Sequence, residues 1–231
     1  MFDKNKVYCI DCMEAIEQLP DKSIDMVLTD VPYKQVLSGG GIRKSRPNYD
    51  RIRDYGSVPN IDYKAFFDIC LRKLKQVNFL TFCNKDTKLD FILFAKEKGF
   101  SYKELCFCKT SPAPFANNQW LPDIEYAIHI FKDLKVLGDY KTKKSFWVMP
   151  NFKEKKIPHP TPKKVSVVRD IIKNTTNESD LILDPFMGSG TTGVAAIKEN
   201  RNFIGFEINP DYCAFANKRI KEQAEMIELF K

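Results

Sequence analysis

The sequence of 231 residues is short of several things at once. Its apolar runs are brief, of the kind seen at Phe91-Ile-Leu-Phe-Ala95, far below the roughly 20 residues that a membrane helix needs. The opening Met1-Phe-Asp-Lys-Asn-Lys6 has no apolar core of the kind that marks a signal peptide. Histidine occurs only twice, and neither copy lies near Cys9-x-x-Cys12 or Cys106-x-Cys108. Those pairs therefore read as structural thiols rather than zinc ligands. Seven cysteines, an odd number scattered over apolar segments, argue against a secreted disulfide framework. Internal repeats and low-complexity tracts are lacking too. The absences together predict a soluble, cytoplasmic protein without a metal.

What is present is a globular composition, 43% apolar, 29% charged and 13% aromatic, at a length suited to a single domain over 1–231. The net charge of +7 is unevenly placed. Residues 41–55 carry five basic and two acidic side chains, and residues 132–164 carry ten lysines against three acids. The rest of the chain is slightly acidic. Basic excess confined to two aromatic- and proline-bearing segments reads as a polyanion footprint. The plainer alternative is a pair of solvated, lysine-rich loops.

Short apolar runs alternate with amphipathic stretches. Strands are predicted over 7–10, 24–29, 78–83, 105–109, 124–131, 181–184 and 202–207. Helices are predicted over 13–19, 62–76, 87–98, 163–174, 191–199 and 210–229. Thr161-Pro162 and Asn209-Pro210 look like N-caps followed by a first-turn proline. Nearly continuous apolar strands alternating with helices imply an α/β fold, Rossmann-like, with a mainly parallel sheet and helices on both faces. Segments 34–61 and 132–162 lack periodicity and read as long, functional loops.

The most informative stretch is Leu181-Ile-Leu-Asp-Pro-Phe-Met-Gly-Ser-Gly-Thr-Thr-Gly193, a strand, a tight turn and a helix start. Gly188, Gly190 and Gly193 satisfy G-x-G-x-x-G, and Glu207 ends the next strand 19 residues after Gly188. Glycines admit close backbone approach, and an acid at the second strand tip can accept both hydroxyls of a ribose. A dinucleotide competes for this reading. However, Asp184 just before the glycines would repel a pyrophosphate and suit the ammonium of an amino acid. S-adenosylmethionine fits both demands.

A second strand ends in Asp30-Val31-Pro32-Tyr33. Ligands of open α/β sheets bind at such carboxyl edges. A carboxylate and a backbone carbonyl accepting the hydrogens of an aromatic amine would return electron density to its nitrogen, and the tyrosine ring would stack on the base. Taken alone, the tetrad also reads as a turn with a packed tyrosine.

Together the two strand ends resemble the β class of S-adenosylmethionine-dependent DNA amino-methyltransferases, in which the catalytic motif precedes the cofactor loop. Asp30-Val-Pro-Tyr33 resembles the family's Asp-Pro-Pro-Tyr, and Asp184-Pro-Phe-Met-Gly-Ser-Gly-Thr-Thr192 resembles its cofactor loop. Ile10-Asp-Cys-Met13, the span from Lys109 through Glu125 to Lys132, and His159-Pro-Thr-Pro-Lys163 resemble further segments. The resemblance implies a permuted class I methyltransferase fold and a cofactor site of Asp11, Cys12, Asp30, His159, Thr161, Lys163, Asp184, Pro185, Phe186, Gly188, Ser189, Gly190, Thr191, Thr192 and Glu207. It implies catalysis by Asp30, Val31, Pro32 and Tyr33 on a base flipped from double-stranded DNA, and often a homodimer.

Asp30 favours adenine N6 over cytosine N4, since the family uses serine more often for the latter. Carbon-5 methylation is excluded because its nucleophilic cysteine follows a proline and this chain has no Pro-Cys. Two departures stand out: Val31 replaces a proline, which leaves room for a silent DNA-binding relative, and Pro162 and Lys164 replace glutamine and proline. Base edges are read by arginine and phosphates by lysine. Arg43, Lys44, Arg46, Arg51 and Arg53, with Lys141, Lys143 and Lys144, are therefore the expected DNA contacts. His129 reads as a strand residue; Trp120 and Trp147 fit either packing or DNA contact.

Overall fold

The computed structural model describes residues 2–32, 61–112, 120–149 and 163–229. In chain order it contains β1 (Lys6–Cys9), α1 (Cys12–Glu17), β2 (Met26–Asp30), α2 (Tyr63–Lys73), β3 (Asn78–Cys83), α3 (Lys85–Glu97), β4 (Ser101–Lys109), β5 (Ile124–Phe131), β6 (Phe146–Met149), α4 (Val165–Thr175), β7 (Leu181–Asp184), α5 (Thr191–Lys198), β8 (Asn202–Glu207) and α6 (Pro210–Leu229). The strands form one eight-stranded sheet in the order β1-β8-β7-β2-β3-β5-β4-β6. Every pairing is parallel except those of β5, which runs against both β3 and β4. The carboxyl ends of the parallel strands and the amino end of β5 therefore lie along one edge.

The central strands are buried on both faces, which explains their near-continuous apolar runs. On one face, Ile16 of α1, Phe66 and Phe67 of α2 and Phe91 of α3 pack with Val27, Phe79 and Leu183. On the other, Val168 of α4, Val194 of α5 and Ala216 of α6 pack with Met26, Leu80 and Ile182. Helix starts are fixed by short polar side chains. Asp62 accepts the Lys64 and Ala65 N–H groups, and Asn84 with Thr87 forms a capping box. Asn209 accepts the Asp211 and Tyr212 N–H groups, as the sequence predicts.

Two local expectations are corrected. First, the segment 132–162 is not loop throughout, because β6 pairs in parallel with β4 through Cys106, Phe107, Cys108 and Lys109. A four-residue edge strand among lysines has too little periodicity to be read. It is held from a distance: the Trp147 ring stacks on Phe107 at 5.1 Å, and its indole N–H donates to Asp170 at 3.1 Å. Packing is thus the role of Trp147. Second, α4 does not start on Thr161. Its cap residue is the extended Lys164, without a side-chain cap bond. The preceding Lys163 also lies outside the helix, with its ammonium at the sheet edge (below).

Candidate active site

The register Met26↔Ile182 and Val27↔Leu183 lays β2 beside β7. Their ends, Asp30 and Asp184, are thereby brought to the same edge, and the Thr29 hydroxyl donates to Asp184 Oδ1 at 2.8 Å across 155 positions of sequence. The glycine turn and the Asp30 corner are therefore joined by a buried hydrogen bond.

At the β7 corner, Asp184 is only 3% exposed and its carboxyl also accepts the Phe186 N–H at 3.1 Å. Burial pushes its pKa up to about 7, against the bonds from Thr192, Thr29 and Phe186. Pro185 is buried and Phe186 half-buried, its ring 5.4 Å from Phe66. The turn then passes through two left-handed glycines, Gly188 at φ 50° and Gly190 at φ 80°. A Cβ at Gly190 would stand 3.1 Å from the Ala216 backbone. Gly193 serves packing, since a Cβ there would meet Ile220 at 2.5 Å. Ser189, Thr191 and Thr192 are buried. Arg219 of α6 donates to the Ser189 carbonyl at 3.0 Å and to Thr191 Oγ1 at 3.2 Å, backing the turn.

Glu207 closes the turn from the next strand. Its carboxylate accepts the Gly188 N–H at 2.8 Å and the Asn209 N–H at 2.9 Å, and burial raises its pKa despite these bonds. Cys9 pairs opposite Glu207, so the residues following β1 arrive at the same place. There Asp11 caps α1, accepting the Met13 and Glu14 N–H groups. Cys12 is buried and its thiol is pushed up to about 12, which removes it from thiolate chemistry.

At the β2 corner, Asp30 Oδ2 lies 2.9 Å from the Lys163 ammonium. The Val31 side chain is 1% exposed, in the same cluster as Tyr63 and Phe91. The Pro32 carbonyl accepts the Tyr63 hydroxyl at 2.6 Å. Burial of valine and a tyrosine bond thus restrain backbone that a proline ring would stiffen in the family motif. Lys163 also lies 3.6 Å from Glu125 Oε2 and over the Phe82 ring at 5.0 Å. Glu125 in turn meets Lys109 at 2.6 Å. Burial alone would raise the Glu125 pKa, but Lys163 and Lys109 hold it below the usual carboxylate value.

Lys141, Lys143 and Lys144 are exposed ahead of β6, where Asp139 accepts the Lys141 and Thr142 N–H groups. Tyr33, Arg43, Lys44, Arg46, Arg51, Arg53, His159 and Thr161 lie outside the described residues. Sequence reasoning missed Thr29, Tyr63 and Arg219 altogether. Thr29 stands beside Asp30 in its motif, but neither Tyr63 nor Arg219 carries any local signal. Among the described residues no group of three or more His, Cys, Asp or Glu could hold a metal ion, and no helix is long and apolar enough to cross a membrane. The edge does fit S-adenosylmethionine. It offers a strand-tip carboxylate for a ribose, glycine backbone for close approach, and a buried carboxyl that a cation would ionise.

A family profile described as DNA methylase matches residues 24–218. The type II methyltransferase M2.DpnII of Streptococcus pneumoniae is 28% identical over 254 residues, covering 97% of this chain and 93% of the relative. M.HinfI of Haemophilus influenzae is 26% identical over 246 residues, covering 92% and 67%. The M1.HpyAVI–SAM complex superposes with a TM-score of 0.69 at 25% identity, covering 93% of this chain and 98% of that one. The cytosine-N4-specific PvuII DNA methyltransferase shares the fold, with a TM-score of 0.68 at 20% identity over 96% and 91%. With the profile running from the start of β2 into α6, and the two motif corners bonded side by side, this chain belongs to the N6/N4 DNA methylases, amino-methyltransferases that use S-adenosylmethionine.

Proposed function

We propose that this protein methylates adenine N6 at a defined site in double-stranded DNA, with the target base flipped out of the helix. The observation that carries the reading is the Thr29–Asp184 bond, which supports a donor pocket and an acceptor corner on adjacent strands. When bound, the cofactor supplies a methyl group already activated on a sulfonium centre. The protein's share is then placement and charge.

Asp30 and the Val31 carbonyl accept the two hydrogens of the exocyclic amine, which keeps its lone pair on nitrogen and aims it at the methyl group. Tyr33 stacks on the base, worth roughly 1–3 kcal/mol against the few kcal/mol that extrusion costs. Glu207 takes the ribose; Asp184, Pro185 and the Phe186–Thr192 turn take the methionine moiety, with His159, Thr161, Asp11 and Cys12 around them. An aspartate rather than a serine at position 30 favours adenine. Arginines of 41–55 read bases while Lys141, Lys143 and Lys144 hold phosphates. The chain acts as one domain over 1–231, in the cytoplasm, as a homodimer on duplex DNA.

The test is direct. The protein is incubated with S-adenosylmethionine and duplex DNA of mixed sequence, and the DNA is digested to nucleosides. N6-methyldeoxyadenosine is expected. N4-methyldeoxycytidine would reassign the base, and no methylated nucleoside despite cofactor binding would leave a silent DNA-binding relative.

A further inference from the structure

We propose that Lys163 is a positioning residue for the Asp30 carboxylate, and that Glu125 of β5, itself fixed by Lys109 of β4, holds Lys163 in place. The proposal rests on Asp30 being the acceptor for the target amine. It differs from the family resemblance, which puts Lys163 beside the methionine end of the cofactor.

The topology sets up the contact. Asp30 of β2 pairs with Phe82 of β3, and Phe82 pairs with Ala127 of β5, two residues beyond Glu125. Strands are spaced about 4.8 Å apart, so the backbones of β2 and β5 are separated by about two such steps, and the Asp30 and Glu125 side chains narrow the gap between their carboxylates. That gap is wide for a hydrogen bond but short enough to be bridged by one ammonium. Lys163 bridges it, at 2.9 Å from Asp30 and 3.6 Å from Glu125, with the Phe82 ring 5.0 Å beneath. The Lys163 side chain is only 16% exposed.

Lys109 closes the far end at 2.6 Å from Glu125. The result is an alternating row, Asp30, Lys163, Glu125, Lys109, whose charges cancel. Breaking it at Lys163 would leave two half-buried carboxylates without their shared cation, a costly arrangement. The backbone of Lys163 serves the other corner, because Thr191 Oγ1 donates to its carbonyl at 3.5 Å. One residue thus couples the cofactor turn to the catalytic carboxylate, its ammonium turned toward the latter.

Three variants decide the matter: Lys163→Met, Lys163→Arg and Glu125→Gln. Cofactor affinity is measured by calorimetry without DNA, thermal midpoints report folding, and kcat is measured with both substrates saturating. Lys163→Met is expected to lower kcat about tenfold or more, as misplaced groups do, while the cofactor Kd stays within about twofold. Lys163→Arg should recover most of the loss, and Glu125→Gln should lower kcat several-fold with the same unchanged Kd. In an Asp30→Asn background, followed by single-turnover label transfer, Lys163→Met should add no further loss.

A cofactor Kd weakened about tenfold with kcat retained at saturation would overturn the proposal and return Lys163 to the cofactor. An unchanged kcat in Glu125→Gln would remove Glu125. If Lys163→Met loses its melting transition, the Arg and Gln variants decide by the same split between kcat and Kd. Wild-type protein that binds cofactor but methylates nothing would sink the enzymatic reading itself and this proposal with it, whereas active wild type with indifferent variants would sink this proposal alone.

Discussion

Asp184 keeps a pKa near 7 because burial outweighs the bonds from Thr192, Thr29 and Phe186, whereas His129, buried on β5 and bonded to Asn78, is pushed down to about 4 by the same cause. The two act in opposite senses on folding. The raised Asp184 contributes stability that is complete below the unfolded value of 3.8 and is lost as pH rises through about 7. The depressed His129 contributes stability present above 6.5 and lost as pH falls through about 4. Asp184→Asn should therefore lose less stability than wild type between pH 5 and 7.5, compared by urea unfolding at both values. Identical pH slopes would mean that Asp184 is ionised throughout. A second prediction concerns Asp30, whose replacement by alanine should cut methyl transfer by about a hundredfold or more while cofactor affinity holds within about twofold. Parallel loss of both would move Asp30 from chemistry to cofactor binding.

Among the elements, α5 depends on how it begins. Gly190 stands at φ 80° against the Ala216 backbone, so no side chain fits without moving α6. Gly190→Ala should lower stability by about 1–2 kcal/mol and weaken cofactor binding, as urea midpoints and calorimetry would report. Elements of this kind are well marked in the sequence. Continuous apolar runs bounded by turns place β3, β5, β7 and β8 at their observed residues, and Asn209-Pro210 places the start of α6. The early start of α3 at Lys85 rests on the local Asn84 capping box, whereas the misses at β6 and α4 occur where contacts come from distant segments. Phe107 and Asp170 engage Trp147 of β6, and Lys163, just ahead of α4, is held at the sheet edge. Neither partner is near in sequence.

Across the whole molecule, part of the site is legible in the sequence and part is not. The Asp30 and Asp184 corners announce themselves as motifs, and a parallel sheet supplies their adjacency. The charged row of Asp30, Lys163, Glu125 and Lys109 is invisible in the sequence, because its members come from four separate segments and gain meaning only in register. The basic excess makes a whole-molecule prediction as well. Replacing Lys141, Lys143 and Lys144 with alanine should weaken DNA binding alike for all sequences and flatten the slope of log affinity against log salt by about 2–3. An unaltered slope would reduce these lysines to solvated surface. A last consequence comes from the placement of β1. Val7 pairs with Gly205, and its N–H and carbonyl are both taken by the Asn217 amide, 210 positions later. As a ribosome makes this protein, β1 must therefore wait, open-edged, until β8 and the Asn217 turn of α6 have emerged. β1 thus joins the sheet only after β8 is made, and nascent chains stalled before Asn217 should be more sensitive to proteases and more dependent on chaperones than chains stalled beyond it.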